Sequence, residues 1–165
     1  LGVASIGITH VAKAGTDPYG SVYFWNLSRA VWHVSKETED DNNTVVAITH
    51  KKGNNTGLME PLGLHVEFEA DEELRPIKIE YKTADLTDTE ELGKHASVKQ
   101  HIISILAGTS MSRDDILKEL EIRNIKNNSG RKAITRMQKQ GLIIQQANGY
   151  LELSGGTPPL KGVSN

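Results

Sequence analysis

Apolar residues follow two different periods along this chain, and the change comes near residue 97. Before it, the apolar runs are short and read as strands. Val3 to His10 (VASIGITH) is almost continuously apolar and predicts a strand buried on both faces, as in a parallel sheet. A loop with Asp17-Pro18 and two glycines as breakers follows. A short, mostly buried helix is then expected from Ser21, carrying Val22, Trp25 and Leu27 with Tyr23 and Phe24 beside them. Ala30 to Val34 and Thr44 to His50 predict two further strands, joined by the acidic turn KETEDDNN, and both tryptophans, Trp25 and Trp32, are expected in the core. After the Gly/Asn-rich loop KKGNNTGLMEP, Leu62 to Ala70 and Pro76 to Thr83 alternate apolar with polar residues. That alternation predicts half-exposed antiparallel strands.

From Ser97 the period becomes helical. Val98, Ile102, Ile105 and Leu106 share one face, and Gly108 ends that helix. Ser112 has the chemistry of an N-cap, with Asp115 three residues on in capping-box style; Ile116, Leu117 and Leu120 form the stripe of a second helix. A third helix is expected from about Asn128 to Gln140, with Ala133, Ile134 and Met137 inward, stopped by Gly141. LIIQQ and YLELS flank Ala147-Asn148-Gly149, a strong hairpin signal. Three helices and a hairpin in about sixty residues make the winged-helix pattern, of the helix-turn-helix group. The expected organisation is therefore an α/β part over 1–83, a polar linker over 84–96, a winged helix over 97–153 and a disordered tail over 154–165.

Composition sharpens this division. There is no cysteine, which excludes disulfides and thiolate metal sites, and no run of eighteen apolar residues. A cytoplasmic setting without membrane contact is the expectation. The net charge of −2 conceals an asymmetry: residues 1–93 hold 8 Lys/Arg against 16 Asp/Glu, whereas residues 94–153 hold 10 against 5. A small basic unit behind an acidic one is an electrostatic footprint for nucleic acid. The chain opens on Leu inside a predicted strand, so it reads as beginning mid-protein.

Four motifs in the first part occur in a telling order: the strand end GITHVAK; Gly20-Ser21 followed by Asn26-Leu27-Ser28-Arg29; the strand pair AVWHV and TVVAITH; and Lys52-Gly53-Asn54 ahead of Gly63-Leu64. In that order they resemble the last third of a RecA-like core, most closely the RepA-like ATPases of plasmids and phages, relatives of ring-forming replicative helicases. The resemblance implies an α/β fold with a mixed sheet and antiparallel edge strands. It implies a DNA-unwinding or DNA-loading motor, and a homo-oligomeric ring with ATP and Mg²⁺ between subunits. His10, with Thr9, would sense the γ-phosphate from the carboxyl edge of the sheet. Arg29 and Lys52 would deliver charge to a neighbouring subunit's ATP, a role worth about 10³–10⁵ in rate for an arginine finger. Lys52 and Asn54 would line the nucleotide. The family often has Arg where Asn54 stands. No G-x-x-x-x-G-K-[ST] occurs, nor a strand ending in a metal-holding Asp, so this chain alone is expected not to hydrolyse ATP.

DNA is the expected partner. Lys13 is the only cation of the loop 11–20, where Tyr19 could stack on a base. In the helical part, Arg131, Lys132, Thr135, Arg136 and Lys139 avoid the Ile134–Met137 stripe and, with Arg113 and Lys126, suit phosphate contact, with Asn127, Asn128 and Gln138 as base-edge candidates. Two non-motor alternatives stand beside the motor: a DNA-binding regulator or a protein-interaction module, each with a degenerate ATPase-like part. A third is an accessory ATPase without helicase activity. The six histidines form no H-x-x-x-H or H-E-x-x-H, so no metal site is expected.

Overall fold

The computed structural model describes residues 6–10, 22–40, 42–73 and 75–155. A short helix α1 (Val22–Leu27) leads into four strands: β1 (Ala30–Thr38), β2 (Asn43–Gly53), β3 (Leu62–Ala70) and β4 (Pro76–Ala84). They form one sheet in the order β1-β2-β3-β4, antiparallel at every step. The expected antiparallel strands β3 and β4 are present, and among the described residues no parallel pair accompanies them. Short turns such as 39–42 and 71–75 bring the chain straight back alongside itself, and a connection of that length joins only antiparallel strands.

The predicted strand Val3–His10 is not borne out over its described part. Residues 6–10 pair with no described strand, and Ile6 and Ile8 are each 96% exposed. Nothing described covers them, and a strand with no ladder partner has no place for its backbone hydrogen bonds. The helix at 22–27 forms, but Leu27 is exposed rather than buried, and Trp25 is half-buried.

The two faces of the sheet differ sharply. On one, Ala47 pairs with Gly63 and Gly63 with Ala84, which leaves a shallow channel across three strands. Leu86 lies in it; a Cβ on Gly63 would stand 2.4 Å from the Ala84 carbonyl oxygen and 2.9 Å from Leu86 Cδ2. The segment read as a linker folds into two 3-10 turns, Leu86–Asp88 and Gly93–His95, and buries Leu86 and Leu92 against Val45 and Ala47. Glu37 holds this segment down, its carboxylate accepting from the Glu91 and Leu92 amides at 3.0 and 3.2 Å. On the opposite face the register aligns Val34 with Ile48 and Leu62, and Phe68 with Ile79. There Trp32 is 45% exposed and stacks on buried His50, ring centroids 4.3 Å apart, so it does not sit in the core as expected.

Helices α2 (Val98–Ile105), α3 (Arg113–Ile122) and α4 (Asn127–Lys139) follow, then a hairpin of β5 (Ile143–Gln145) and β6 (Leu151–Leu153). Ser97 caps α2 in a full capping box with Gln100. Ser112 caps α3 by accepting from the Asp115 amide; its hydroxyl donates to the Asp115 carboxylate at 2.6 Å, so that side chain does not reach the backbone. Ile102, Leu106, Ile116, Leu120, Ile134 and Met137 make the centre of the core, closed by Ile143 and Leu151 from the hairpin. Gly149, at φ +87°, takes the left-handed position after Asn148 that a three-residue hairpin loop requires. Residue Met111, ahead of α3, exchanges backbone hydrogen bonds with Leu151, which ties the hairpin across the front of the helices.

Candidate nucleic-acid interface

Helix α4 buries Gly130, Ile134 and Met137, and that stripe fixes which residues point outward. Arg131, Lys132, Thr135, Arg136 and Lys139 are all exposed and line a single shallow surface groove along the helix. The spacing i, i+1, i+4, i+5, i+8 is one face of a 3.6-residue helix. On the buried side α3 comes close: a Cβ on Gly130 would stand 2.8 Å from Leu117 Cδ2 and 2.9 Å from Leu120 Cδ1, so glycine lets the helices touch.

That approach carries Arg113 from the start of α3 onto α4. Its guanidinium donates to Thr135 Oγ1 at 2.7 Å and to the Arg131 carbonyl at 3.4 Å. Arg131 is steadied in turn, its Nε donating to Asn127 Oδ1 at 2.7 Å. A guanidinium has five N–H donors, so both arginines retain outward-facing ones. Lys126 stands exposed at the N-cap of α4. Ion pairs among the described residues use Arg75, Lys78, Lys82, Lys94 and Lys118 as lysine and arginine partners, none of them on this face. No described carboxylate lies within ion-pair reach of Arg113, Lys126, Arg131, Lys132, Arg136 or Lys139. Chemically the face is a set of donors without a paired carboxylate, able to donate to several phosphate oxygens.

The residues singled out in the first part are not gathered in the same way. His10 and Thr9 lie in the segment 6–10, which joins no described strand, and Lys13 falls outside the described residues. Lys52 Nζ donates to the Trp25 and Asn26 carbonyls at 2.6 and 3.2 Å, capping the C-terminal end of α1. Asn54 donates its backbone N–H to the Arg29 carbonyl at 2.9 Å, so the chain segments of those two meet. No hydrogen bond or ion pair among the described residues joins His10 to Arg29, Lys52 or Asn54. Nor does any cluster of three or more His, Asp or Glu suited to a metal occur among them.

The junction between the two units was not legible in the sequence. Gln100 Nε2 of α2 donates to the Pro61 carbonyl at 3.0 Å. His101, also buried, faces Arg123 Nη1 at 3.4 Å and the Gly93 carbonyl. Burial first, and then the Arg123 charge, hold its imidazole below the usual histidine range. The signal was a histidine one step from the Val98–Ile102 stripe, indistinguishable in sequence from a surface residue. Comparison with protein-family models, with curated proteins and with solved structures finds no match. No described helix is long and apolar enough to cross a membrane.

Proposed function

We propose that residues 97–153 form a winged-helix module that binds duplex DNA through α4, mainly by phosphate contacts. One observation carries the reading: Arg131, Lys132, Arg136 and Lys139 share one exposed groove with no carboxylate paired to any of them. A solvated surface helix is normally laced with opposite charges three and four residues apart. Here α4 contains no acidic residue at all, while α3 beside it starts with Asp114 and Asp115. The hairpin and the Met111–Leu151 bridge suit a winged helix, in which the helix ahead of the hairpin enters the major groove.

Affinity of the full chain for duplex DNA is then expected to fall steeply with salt, with a log–log slope of about −0.9 per phosphate neutralised. The variant Arg131→Ala/Lys132→Ala/Arg136→Ala is expected to flatten that slope by roughly three contacts, because all three side chains are exposed and leave the core intact. Fluorescence anisotropy at several salt concentrations reads both. A triple variant that binds as tightly as the parent sinks the reading and leaves the module to protein contacts.

The wider proposal, that this module serves an ATP-driven DNA motor, rests on the motif order between residues 7 and 64. What supports it is sequence alone, since Lys52 is engaged by α1 and His10 lies apart from Arg29 in contact terms.

A further inference from the structure

The open face of the sheet is inverted relative to a soluble sheet standing alone. Its apolar side looks outward, while the side bearing Glu37, His65 and Glu67 is the one partly covered by 84–96. Cross-strand partners on an antiparallel pair share a face, so Trp32 and Val34 of β1 continue through β2 and β3 to Phe68, and on to Ile79 and Tyr81 of β4. These are exposed by 45, 62, 36, 56 and 74%. At about 200 Å² for a whole aromatic side chain, the three aromatic residues leave roughly 300 Å² open to solvent. The aliphatic residues between them, Ile77 included, add a comparable area, for a total of roughly 600 Å² or more. The largest apolar patch of an ordinary monomer is about 300–600 Å², and one side of a stable interface is about 800 Å².

From this we infer that the apolar sheet face is a dimer interface, covered by the same face of a second copy of this chain. Three properties select that occupant. The area is that of a protein interface rather than of a small ligand, and the surface is a sheet face rather than a cavity. Residues 6–10, the described part of the chain ahead of α1, are too few to cover four strands. The face carries little charge beyond Lys36 of β1, so two copies can meet about a twofold axis without burying like charges against each other. Two sheets stacked in this way, about 10 Å apart, make the core that each lacks alone.

The experiment uses the whole chain. Sedimentation equilibrium is expected to show a reversible monomer–dimer equilibrium, and Ile79→Glu/Tyr81→Lys is expected to leave only monomer. Both side chains are more than half exposed, and circular dichroism checks that the variant keeps its fold. Because the chain has no cysteine, a single fluorophore can be placed at Ile79→Cys or, one residue away on the opposite face, at Lys78→Cys. Emission at position 79 is expected to shift with protein concentration, and emission at 78 to stay constant. A parent chain that is monomeric at every concentration overturns the inference. So does a dimer that survives the double variant, or a shift at position 78 as large as that at 79. A monomer that floats with phosphatidylcholine vesicles overturns it in favour of a lipid surface.

Discussion

The sheet unit and the helical unit solve the same problem with opposite completeness. In α2–α4 and the β5–β6 hairpin, the large apolar residues of all three helices and both strands meet in one core, and Ile122 and Ile144 are the main exceptions left outside. At the sheet, the buried apolar cluster among the described residues is Val45 and Ala47 of β2 with Leu86 and Leu92 of the covering segment, and the larger apolar side chains stand on the other face. A helix hides a stripe by meeting two neighbours, and three helices suffice to close on themselves. A four-stranded sheet has two faces, and the short segment 84–96 can cover only part of one. The helical unit is therefore built to fold on its own, whereas the sheet unit is built to be covered.

The largest effect that would break this contrast is a core truncation. Ile134→Ala removes a fully buried side chain and is expected to cost about 2–5 kcal/mol. Ile79→Ala removes the same atoms from an exposed position and is expected to cost within ~0.5 kcal/mol of folding stability in the dilute monomer. Chemical denaturation of both variants decides it. Equal losses would mean that the sheet face is already packed in solution at the concentration used.

How far this was legible in sequence follows the same divide. The alternation in 62–70 and 76–83 placed β3 and β4 almost to the residue, and the helical stripes placed α2–α4 with their inward residues. Both patterns are local. The basic face of α4 was readable for the same reason, since 3.6-residue geometry alone puts Arg131, Thr135 and Lys139 together. Arg113 joining them depended on how closely α3 approaches at Gly130, a tertiary fact. Continuous apolar character at 3–10 suggested a buried strand, but a buried strand needs a ladder to join, and residues 6–10 join no described strand. Leu86 and Leu92 were hidden by their acidic neighbours. Their clue was the small-residue line Ala47, Gly63 and Ala84, which makes sense only once the register is known.

A smaller effect concerns the junction between the units. His101 is held below its usual range by burial and by Arg123, opposed by the Gly93 carbonyl and more distantly by Asp85. A histidine with a lowered folded value binds fewer protons folded than unfolded, so its contribution to stability is full above the unfolded value of about 6.5 and is lost as pH falls through it. His95, lowered by burial and then by Lys51, His33 and Lys94, acts in the same direction. Thermal melts are expected to move down between neutral and mildly acidic pH, and His101→Gln is expected to lessen that slope. An unchanged slope in the variant would show that the acid sensitivity lies elsewhere and that the two units are joined without this histidine.

The smallest effect separates two uses of one lysine. Lys52 places its ammonium on the last carbonyls of α1, where a cation favours the negative end of the helix by about 0.3–1 kcal/mol. Lys52→Met keeps most of the side chain's apolar length and removes the charge and both hydrogen bonds. It is expected to loosen α1 by no more than that amount, read as faster amide exchange at Trp25, Asn26 and Leu27, while exchange in α2–α4 stays as in the parent. The comparison of units requires this confinement, because the described hydrogen bonds from the helices reach the Pro61 carbonyl through Gln100 and Gly93 through His101, and neither runs through Lys52. Exchange that quickened equally in α4 would mean the two units unfold as one, and the helical core would then lose its claim to independence.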